Sequence, residues 1–323
     1  MNLRQLSYFV AITEHKSFLK ASQALHISQP SVSAQINLLE QELSVQLFER
    51  RPAGTVLTPE GKDFLVHARH VLDAVEAARA SLPPHHAREV GQVTIGIPGS
   101  LSAMLILPLI EIVRRECPDV RLRVVAGLSG HLFQWIQSGE VNFALVFASA
   151  PVAGVDIEPL ISEHLAIAAR CKEDLASRLD EKDEIRLADL RGLPLVMPSK
   201  GHGLRKTLDD AAKATGVNLY VRTELDAHEL LTEMVRHTDC FTVLSLAALQ
   251  SMGGPKPLFT ARIVEPYIQR RVCLAHASGR PLSRAARRVD GILRELLQQE
   301  IDRGWWANAK PIGRGSTSQK RQQ

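Results

Sequence analysis

The sequence predicts an α/β protein with an all-α N-terminal part. Three observations carry this prediction. Two short helical segments near the N-terminus are separated by about three residues and followed by a hairpin pattern. One long segment then repeats apolar residues at alternating steps of four and three. From Gly91 onward, strand-like and helical stretches alternate.

Leu3, Leu6, Phe9 or Val10 and Thr13 have helical spacing. Ser17 is placed to cap a second helix that buries Phe18, Ala21 and Leu25. After His26 and Ile27, Ser28 is an N-cap candidate and Pro30 fits the first helical turn. Val32, Ile36 and Leu39 then give the third helix an inward face. Two helices so close together form a helix-turn-helix signature. Residues 46–51 and 55–58 flank Pro52-Ala53-Gly54 and read as a small hairpin, or wing.

A long helix is expected from Pro59 to Leu82, where Pro83-Pro84 stops it. Phe64, Ala68, Val71, Val75, Ala78 and Leu82 form a heptad seam that calls for a partner helix, with Leu65 and Leu72 broadening it. The alternative is an amphipathic helix lying on its own domain. His85-His86 beyond it reads as linker rather than as a metal pair.

Strands are expected at 92–98, 121–128 and 143–148, with helices at 101–116 and 131–138 between them. This βαβαβ run implies parallel pairing. A second set follows, with strands at 165–170, 195–197, 219–225 and 241–244 and helices at 202–215 and 227–237. Strands near 261–264 and 272–275 and a helix from 283 to about 300 complete the fold. Residues 303–323 read as a basic flexible tail, in which Trp305-Trp306 could dock.

With 323 residues, 45% of them apolar, the chain has material for about two domains with real cores. No stretch approaches the ~20 apolar residues needed to span a bilayer, so no membrane partner is expected. The N-terminus MNLRQLSYFVAITEH lacks an export-signal layout, so a cytoplasmic location is expected. The closest two of the four cysteines, Cys240 and Cys273, are 33 positions apart, which suits neither a zinc site nor a disulfide framework. The net charge is +4, but Arg303, Lys310, Arg314, Lys320 and Arg321 alone contribute five, so the chain ahead of them is net −1. Bulk charge is therefore no argument for nucleic acid, and any such case rests on local geometry.

That geometry is present in the third helix. With Val32, Ile36 and Leu39 inward, Pro30, Ala34 and Asn37 point outward, and Gln29, Ser31 and Ser33 lie near the helix start. Small and polar groups there suit entry into a major groove of double-stranded DNA. Residues 1–60 hold five basic and five acidic side chains, so one copy should bind weakly and dimerisation would be needed. Arg50 and Arg51 are the expected phosphate or minor-groove contacts.

In the α/β part, strand ends run into hydroxyl-rich helix starts at Ser100 and Ser102, at Ser129, and at Ser199 to His202. Small anionic ligands bind at such places in open parallel sheets, although the same serines could simply cap their helices. There is no nucleophile elbow, P-loop, dinucleotide fingerprint or metal-spaced cluster, so neither an enzyme nor a cofactor is expected.

The segment LRQLSYFVAITEHKSFLKAS, continuing through QALHISQPSVSAQINLLEQELSVQLFERR to PAGTVLTPEGK, resembles the LysR-type transcriptional regulators. The resemblance extends to about residue 302. GLSGHLFQWIQSGEVNFALVF and LPLVMPSKGHGLRKTLDDAA are similar to the branch containing the nitrogen assimilation control protein. The resemblance implies a winged helix-turn-helix over 1–60, a linker dimerisation helix and hinge over 61–90, and an effector domain over 91–302 like type 2 periplasmic binding proteins. Its subdomain I would comprise 91–163 and 267–302, and subdomain II 164–266. Family base contacts would fall on Gln29, Pro30 and Ser33, the wing cation on Arg50, and effector contacts on Ser100, Ser129 and Ser199 to His202. The implied partners are operator DNA, a small effector, a second copy in a dimer or tetramer, and RNA polymerase.

The chain departs from the family pattern at four places. Asn37 stands where a basic residue is common and Ser44 where Gly is usual. Thr238-Asp239-Cys240 replaces a Gly-Leu-Gly, and Ser245 replaces a Pro. The wide cysteine spacing argues against peroxide sensing, known in one branch. Rival readings are a solute-binding protein, which would have no use for residues 1–60, and an enzyme on the same scaffold.

Overall fold

A computed structural model describes residues 1–51, 54–81, 89–200, 202–251, 257–304 and 310–311. The first unit packs α1 (Leu3–His15), α2 (Phe18–Ala24) and α3 (Gln29–Leu43) around Phe9, Ile12, Ala21, Val32, Ile36 and Leu39. Asn2 and Gln5 form a capping box on α1, and Ser17 and Ser28 cap α2 and α3. The wing is β1 (Phe48–Arg51) paired antiparallel with β2 (Gly54–Leu57).

The end of α3 explains one departure from the family pattern. Ser44 adopts a left-handed backbone with φ 55, its N–H bonds the carbonyl of Gln41, and the N–H of Val45 bonds the carbonyl of Glu40. This is a Schellman closure with serine where glycine is less strained. The Glu40 carboxylate then accepts from the backbone N–H groups of Leu47 (2.7 Å) and Phe48 (3.2 Å), fixing the path into the wing.

The long helix α4 (Pro59–Ser81) starts from Thr58, whose hydroxyl donates to the Gln46 carbonyl and accepts from Gly61 N–H. At Gly61 an added Cβ would lie 2.2 Å from the Leu47 carbonyl oxygen, so only glycine lets this helix approach the wing so closely.

Beyond the linker come β3 (Gly91–Ile97), α5 (Gly99–Glu116), β4 (Val120–Ala126), α6 (Ser129–Ser138) and β5 (Phe143–Phe147). β3 pairs parallel with both β4 and β5, as the alternating pattern requires. Then β6 (Val155–Ala169) runs for 15 residues. After it come β7 (Glu184–Arg186), β8 (Leu195–Met197), α7 (Gly203–Ala214), β9 (Val221–Glu224), α8 (His228–His237), β10 (Thr242–Ser245), α9 (Leu246–Ser251), β11 (Phe259–Val264), β12 (Gln269–Ala277) and α10 (Arg284–Asp302). The main sheet runs β4-β3-β5-β12-β6-β11-β7, with β10 also on β6.

The first part of β6, to His164, pairs with β12, whereas Leu165 to Ala169 pairs with β10 and β11. Sequence reading starts this strand at 165 and misses the ten residues before it. Pro159 is the reason: proline reads as a strand breaker, but here it sits where the β6–β12 register shifts between Val272 and Cys273, a place where a missing donor is tolerated. Separate apolar cores lie on each side of the crossing, around Leu105, Leu109, Val289 and Leu293 on one side and around Leu204, Leu208, Leu231 and Leu244 on the other.

Two further expectations need correction or relocation. The tail is not free throughout, since β13 (Lys310–Pro311) pairs antiparallel with Ser162 and Ile161 of β6. Leu82, His85, His86, Trp305 and Trp306 lie outside the described residues. At Thr238-Asp239-Cys240 the Thr238 hydroxyl donates to the Met234 carbonyl (2.6 Å) and accepts from Cys240 N–H (3.2 Å), closing the turn without glycine.

The strain at Ser44 makes a stability prediction. Ser44→Gly should stabilise the protein by about 0.5–1 kcal/mol, read as a higher thermal midpoint of the full chain. An unchanged or lower midpoint would show that the left-handed turn costs the serine nothing.

Candidate functional site

At the start of α3, Gln29, Pro30 and Ser31 are exposed, Ser33 is half-buried, and Asn37 is exposed two turns along. Ser28 Oγ accepts from Ser31 N–H and lies 2.7 Å from Ser31 Oγ, so Ser31 is both a surface residue and a cap partner. Thr55 N–H donates to the Lys16 carbonyl at 3.1 Å, tying the wing to the α1–α2 turn. Arg51 is exposed and bonds Glu49 through Nε and Nη2, so part of its charge is answered within the wing. The backbone of Arg50 pairs with Thr55, and its side chain lies outside the described set.

The heptad seam of α4 divides. Ala68 is fully buried in the N-terminal core, and the Phe64 ring meets Phe9 edge-on at 5.1 Å. These two residues are therefore corrected from the dimer seam to the protein's own core, where the three short helices need a fourth wall. Val71 remains 40% exposed, Val75 half-buried and Ala78 exposed.

The far half of α4 touches the α/β part through a polar cluster. Arg69 lies 4.0 Å from Glu140, and Asp73 Oδ2 lies 3.3 Å from Arg280 Nη1. Arg69 Nη1, His70 Nε2 and Arg280 Nη2 are buried without hydrogen-bond partners. Burial pushes the Asp73 carboxyl up from 3.8 to about 6, against the pull of Arg69, and it lowers the guanidinium pKa values of Arg69 and Arg280.

The expected ligand-contacting hydroxyls are mostly engaged elsewhere. Ser102 Oγ donates to the Gly99 carbonyl at 2.6 Å, and Ser129 Oγ accepts from Phe147 N–H at 3.0 Å. His202 Nδ1 caps α7 by accepting from Leu204 N–H. Each of these three bonds satisfies a backbone group at a helix or strand end. Ser100 is buried with Oγ unpartnered, and Ser199 is half-buried, its N–H donating to Asp226.

A cavity of about 430 Å³ opens instead at the hinge, between the end of β5, the first turns of α7 and the start of β12. Phe147, Ser149, Ser162, Lys206, Thr207, Gln269 and Arg270 are among the residues that line it, and none of the five expected residues does. The readable signal was Arg270, an arginine in phase with the buried Val272 and Leu274 of β12. An isolated buried charge is costly, so a guanidinium on that face implies built partners.

Residues 3–62 match the family description "Bacterial regulatory helix-turn-helix protein, lysR family", and residues 86–298 match "LysR substrate binding domain". The chain belongs to the LysR family. It is 29% identical over 300 residues to the nitrogen assimilation regulatory protein nac of Klebsiella aerogenes, covering 93% of this chain and 96% of that one. To the protein of the same name from Escherichia coli it is 28% identical, covering 93% and 97%.

Among solved structures, a full-length OxyR variant from Pseudomonas aeruginosa superposes with TM-score 0.76 at 22% identity, covering 92% of this chain and 95% of that one. Full-length CbnR complexed with its target DNA gives TM-score 0.52 at 21% identity, covering 92% and 99%. These two likenesses are of fold. The LysR-type architecture, a winged helix-turn-helix followed by a two-part α/β module, is thus shared along nearly the whole chain.

In this LysR-family protein the Asp73 cluster has a pH signature. A carboxyl that binds its proton more tightly folded than unfolded makes stability fall as pH rises from 3.8 to about 6. The thermal midpoint of the native protein, measured relative to Asp73→Asn, should therefore decrease across that window. A constant difference would place Asp73 in solvent.

Proposed function

We propose that this LysR-type regulator reads operator DNA with α3 and the wing, as a dimer joined through α4. A small anionic effector bound at the hinge would set how the two DNA heads are held. The observation that carries the proposal is the exposed, serine-capped start of α3 beside a wing tied to the same core. In this reading Gln29, Pro30 and Ser33 contact bases, while Ser31 and Asn37 contact base edges or phosphates. Arg50 and Arg51 contact phosphate or the minor groove. The N-terminal amides of α3 add a favourable partial positive charge toward a phosphate.

Residues 71, 75 and 78 form what remains of the dimer seam, with Leu82 continuing it. Two domains of a regulator occupy the chain, and the protein is read as non-catalytic, acting in the cytoplasm where the chromosome is. Dimers would pair into tetramers, and RNA polymerase is the partner on which a bound dimer or tetramer would act. Relatives named for nitrogen assimilation support placement near that branch but do not supply this protein's genes or ligand.

A ligand acts only through a difference in affinity between two arrangements. The structure offers a material connection for such a difference. β12 begins beside the hinge cavity at Gln269 and Arg270 and runs to Ala277. Three residues further on, Arg280 meets Asp73 of α4. Nine strand residues span about 30 Å at the usual rise, so a small rotation at the hinge reaches the linker helix through one stiff element.

Two kinds of substitution test the DNA assignment. Gln29→Ala or Ser33→Ala should change preference among sites by about 1–3 kcal/mol per contacted base pair. Arg50→Ala should instead weaken all sequences alike and reduce the salt slope by about 1. Binding selections across salt concentrations distinguish the two, and the reverse pattern overturns the assignment. For the dimer, Val71→Asp should give monomers by light scattering and lose most DNA affinity, and a variant that stays dimeric moves the interface off α4.

A further inference from the structure

The first half of β6 is the edge of its sheet. From Val155 to His164 it pairs with β12 on one side. On the other side, among the described residues from Asp156 to His164, only Ile161 and Ser162 have a strand partner, the Lys310–Pro311 pair of β13. The second half of β6 differs. Ala166, Ile167 and Ala168 each pair with both β10 and β11, so both of its sides are filled. An open edge offers a row of backbone donors and acceptors to any extended chain, and soluble proteins cover or blunt such edges.

The usable part of this edge is short, and β13 sits in it. One residue beyond Ser162, the buried Glu163 carboxylate accepts from Arg270 Nε. Arg270 Nη2 donates to Ser245 Oγ of β10 at 3.2 Å, and the guanidinium carbon lies 3.7 Å from the centroid of the Phe147 ring on β5. That cross-link marks where the open edge ends and the doubly paired half begins. In the other direction stands Pro159, which has no N–H to give to a ladder. Leu160, Ile161 and Ser162 are the residues between these two limits, and β13 pairs with two of them.

The residues of β13 suit a strand that terminates a sheet. Lysine and proline are what natural edges carry against further pairing, because the one places a charge there and the other lacks a donor. The end of α10 prepares the approach. Arg294 of that helix holds Glu158 of β6 through hydrogen bonds of 2.9 and 2.8 Å. Gly304, left-handed at φ 74, then closes the helix with its N–H on the Ile301 carbonyl at 2.9 Å. The tail thus leaves a helix already fastened to β6, and five residues separate Gly304 from Lys310. A ladder of two residues is weak by itself, and so short a connection gives it the high effective concentration it needs.

We infer that the β6 edge at Ile161 and Ser162 is a strand-addition site, that its occupant is this chain's own C-terminal segment at Lys310 and Pro311, and that this segment closes the edge against pairing with a second copy. The site and its occupant do not depend on a ligand in the cleft.

Variants of the full-length chain test this. Ser162→Cys with Lys310→Cys places thiols on directly opposite residues, whose Cα separation of about 4.5–5.5 Å in an antiparallel pair lies within disulfide range. Mild oxidation should link them within one chain, identified by peptide mass, roughly tenfold faster or more than Ser162→Cys with Lys320→Cys. Lys310→Pro removes the remaining backbone donor of the two-residue strand. Successive strand amides point to opposite sides, so one of the Ile161 and Ser162 amides faces the tail and the other faces β12. In Lys310→Pro the amide facing the tail should exchange hydrogen roughly tenfold faster or more, and the amide facing β12 should be unchanged. Light scattering at rising concentration should show this variant growing into larger assemblies where the native protein keeps its size.

Equal linking at positions 310 and 320 overturns the pairing, as does unchanged exchange at both amides. A disulfide found between chains makes the occupant the tail of a second copy and overturns the assignment to the same chain. A Lys310→Pro protein that exchanges faster yet keeps the native size at every concentration overturns the closing role.

Discussion

The effector half of this protein depends on one strand belonging to two sheets' worth of neighbours. Up to His164, β6 is hydrogen-bonded to β12, and from Leu165 it is hydrogen-bonded to β10 and β11. A strand cannot slip by one residue without turning its buried face outward, and β6 is buried from Leu165 to Ala169 in one core and at Ile161 in another. The two subdomains are therefore fixed in register along β6, and the strand changes partners between His164 and Leu165. Glu163, just before that change, meets Arg270. A buried ion pair is weak evidence for stability, since apolar residues of similar volume often serve as well. What it supplies here is direction, because a guanidinium tied to β6, β10 and β5 at once resists being pulled toward either half alone.

The same constraint explains how a cleft could speak to a helix. β12 joins the hinge at one end and, through the turn at Gly279, presents Arg280 to Asp73 at the other. Arg69 Nη1, His70 Nε2 and Arg280 Nη2 there make no hydrogen bond, and burial raises the Asp73 carboxyl. A junction so incompletely satisfied has little to lose on rearrangement, and low local stability is where moving elements are drawn from.

Much of this was legible in the residues. The three N-terminal helices, their serine caps and the parallel βαβ run follow from local rules of capping and periodicity, which act over a few residues. What local reading could not reach were competitions between distant partners. The apolar stripe of α4 serves a partner helix and the protein's own core equally well on paper, and only packing shows that Phe64 and Ala68 are claimed by Phe9 and its neighbours. Ser102, Ser129 and His202 were open to either a ligand or a cap on sequence alone, and the structure shows each bonded to a backbone group nearby. Pro159 concealed ten strand residues because the bulge that excuses it, at Leu160, is defined only by pairing with β12, more than a hundred positions away. Ser245, odd against its family, makes sense once Arg270 Nη2 is seen to need an acceptor.

The charge of the DNA head completes the argument. Its five cations and five anions cancel, but the anions are not equally visible to DNA. Glu40 is turned onto the amides of Leu47 and Phe48, Glu42 holds the N-terminal amine, and Glu49 holds Arg51. The recognition face therefore meets phosphate with little repulsion and also with little attraction, so a single head binds poorly. Joining two heads makes the second binding event intramolecular, with an effective concentration set by geometry. Affinity then depends steeply on whether both heads can reach their half-sites together. A strongly basic head would hold DNA in any arrangement and leave a hinge nothing to control. A neutral head leaves the hold on DNA dependent on how two heads are presented together.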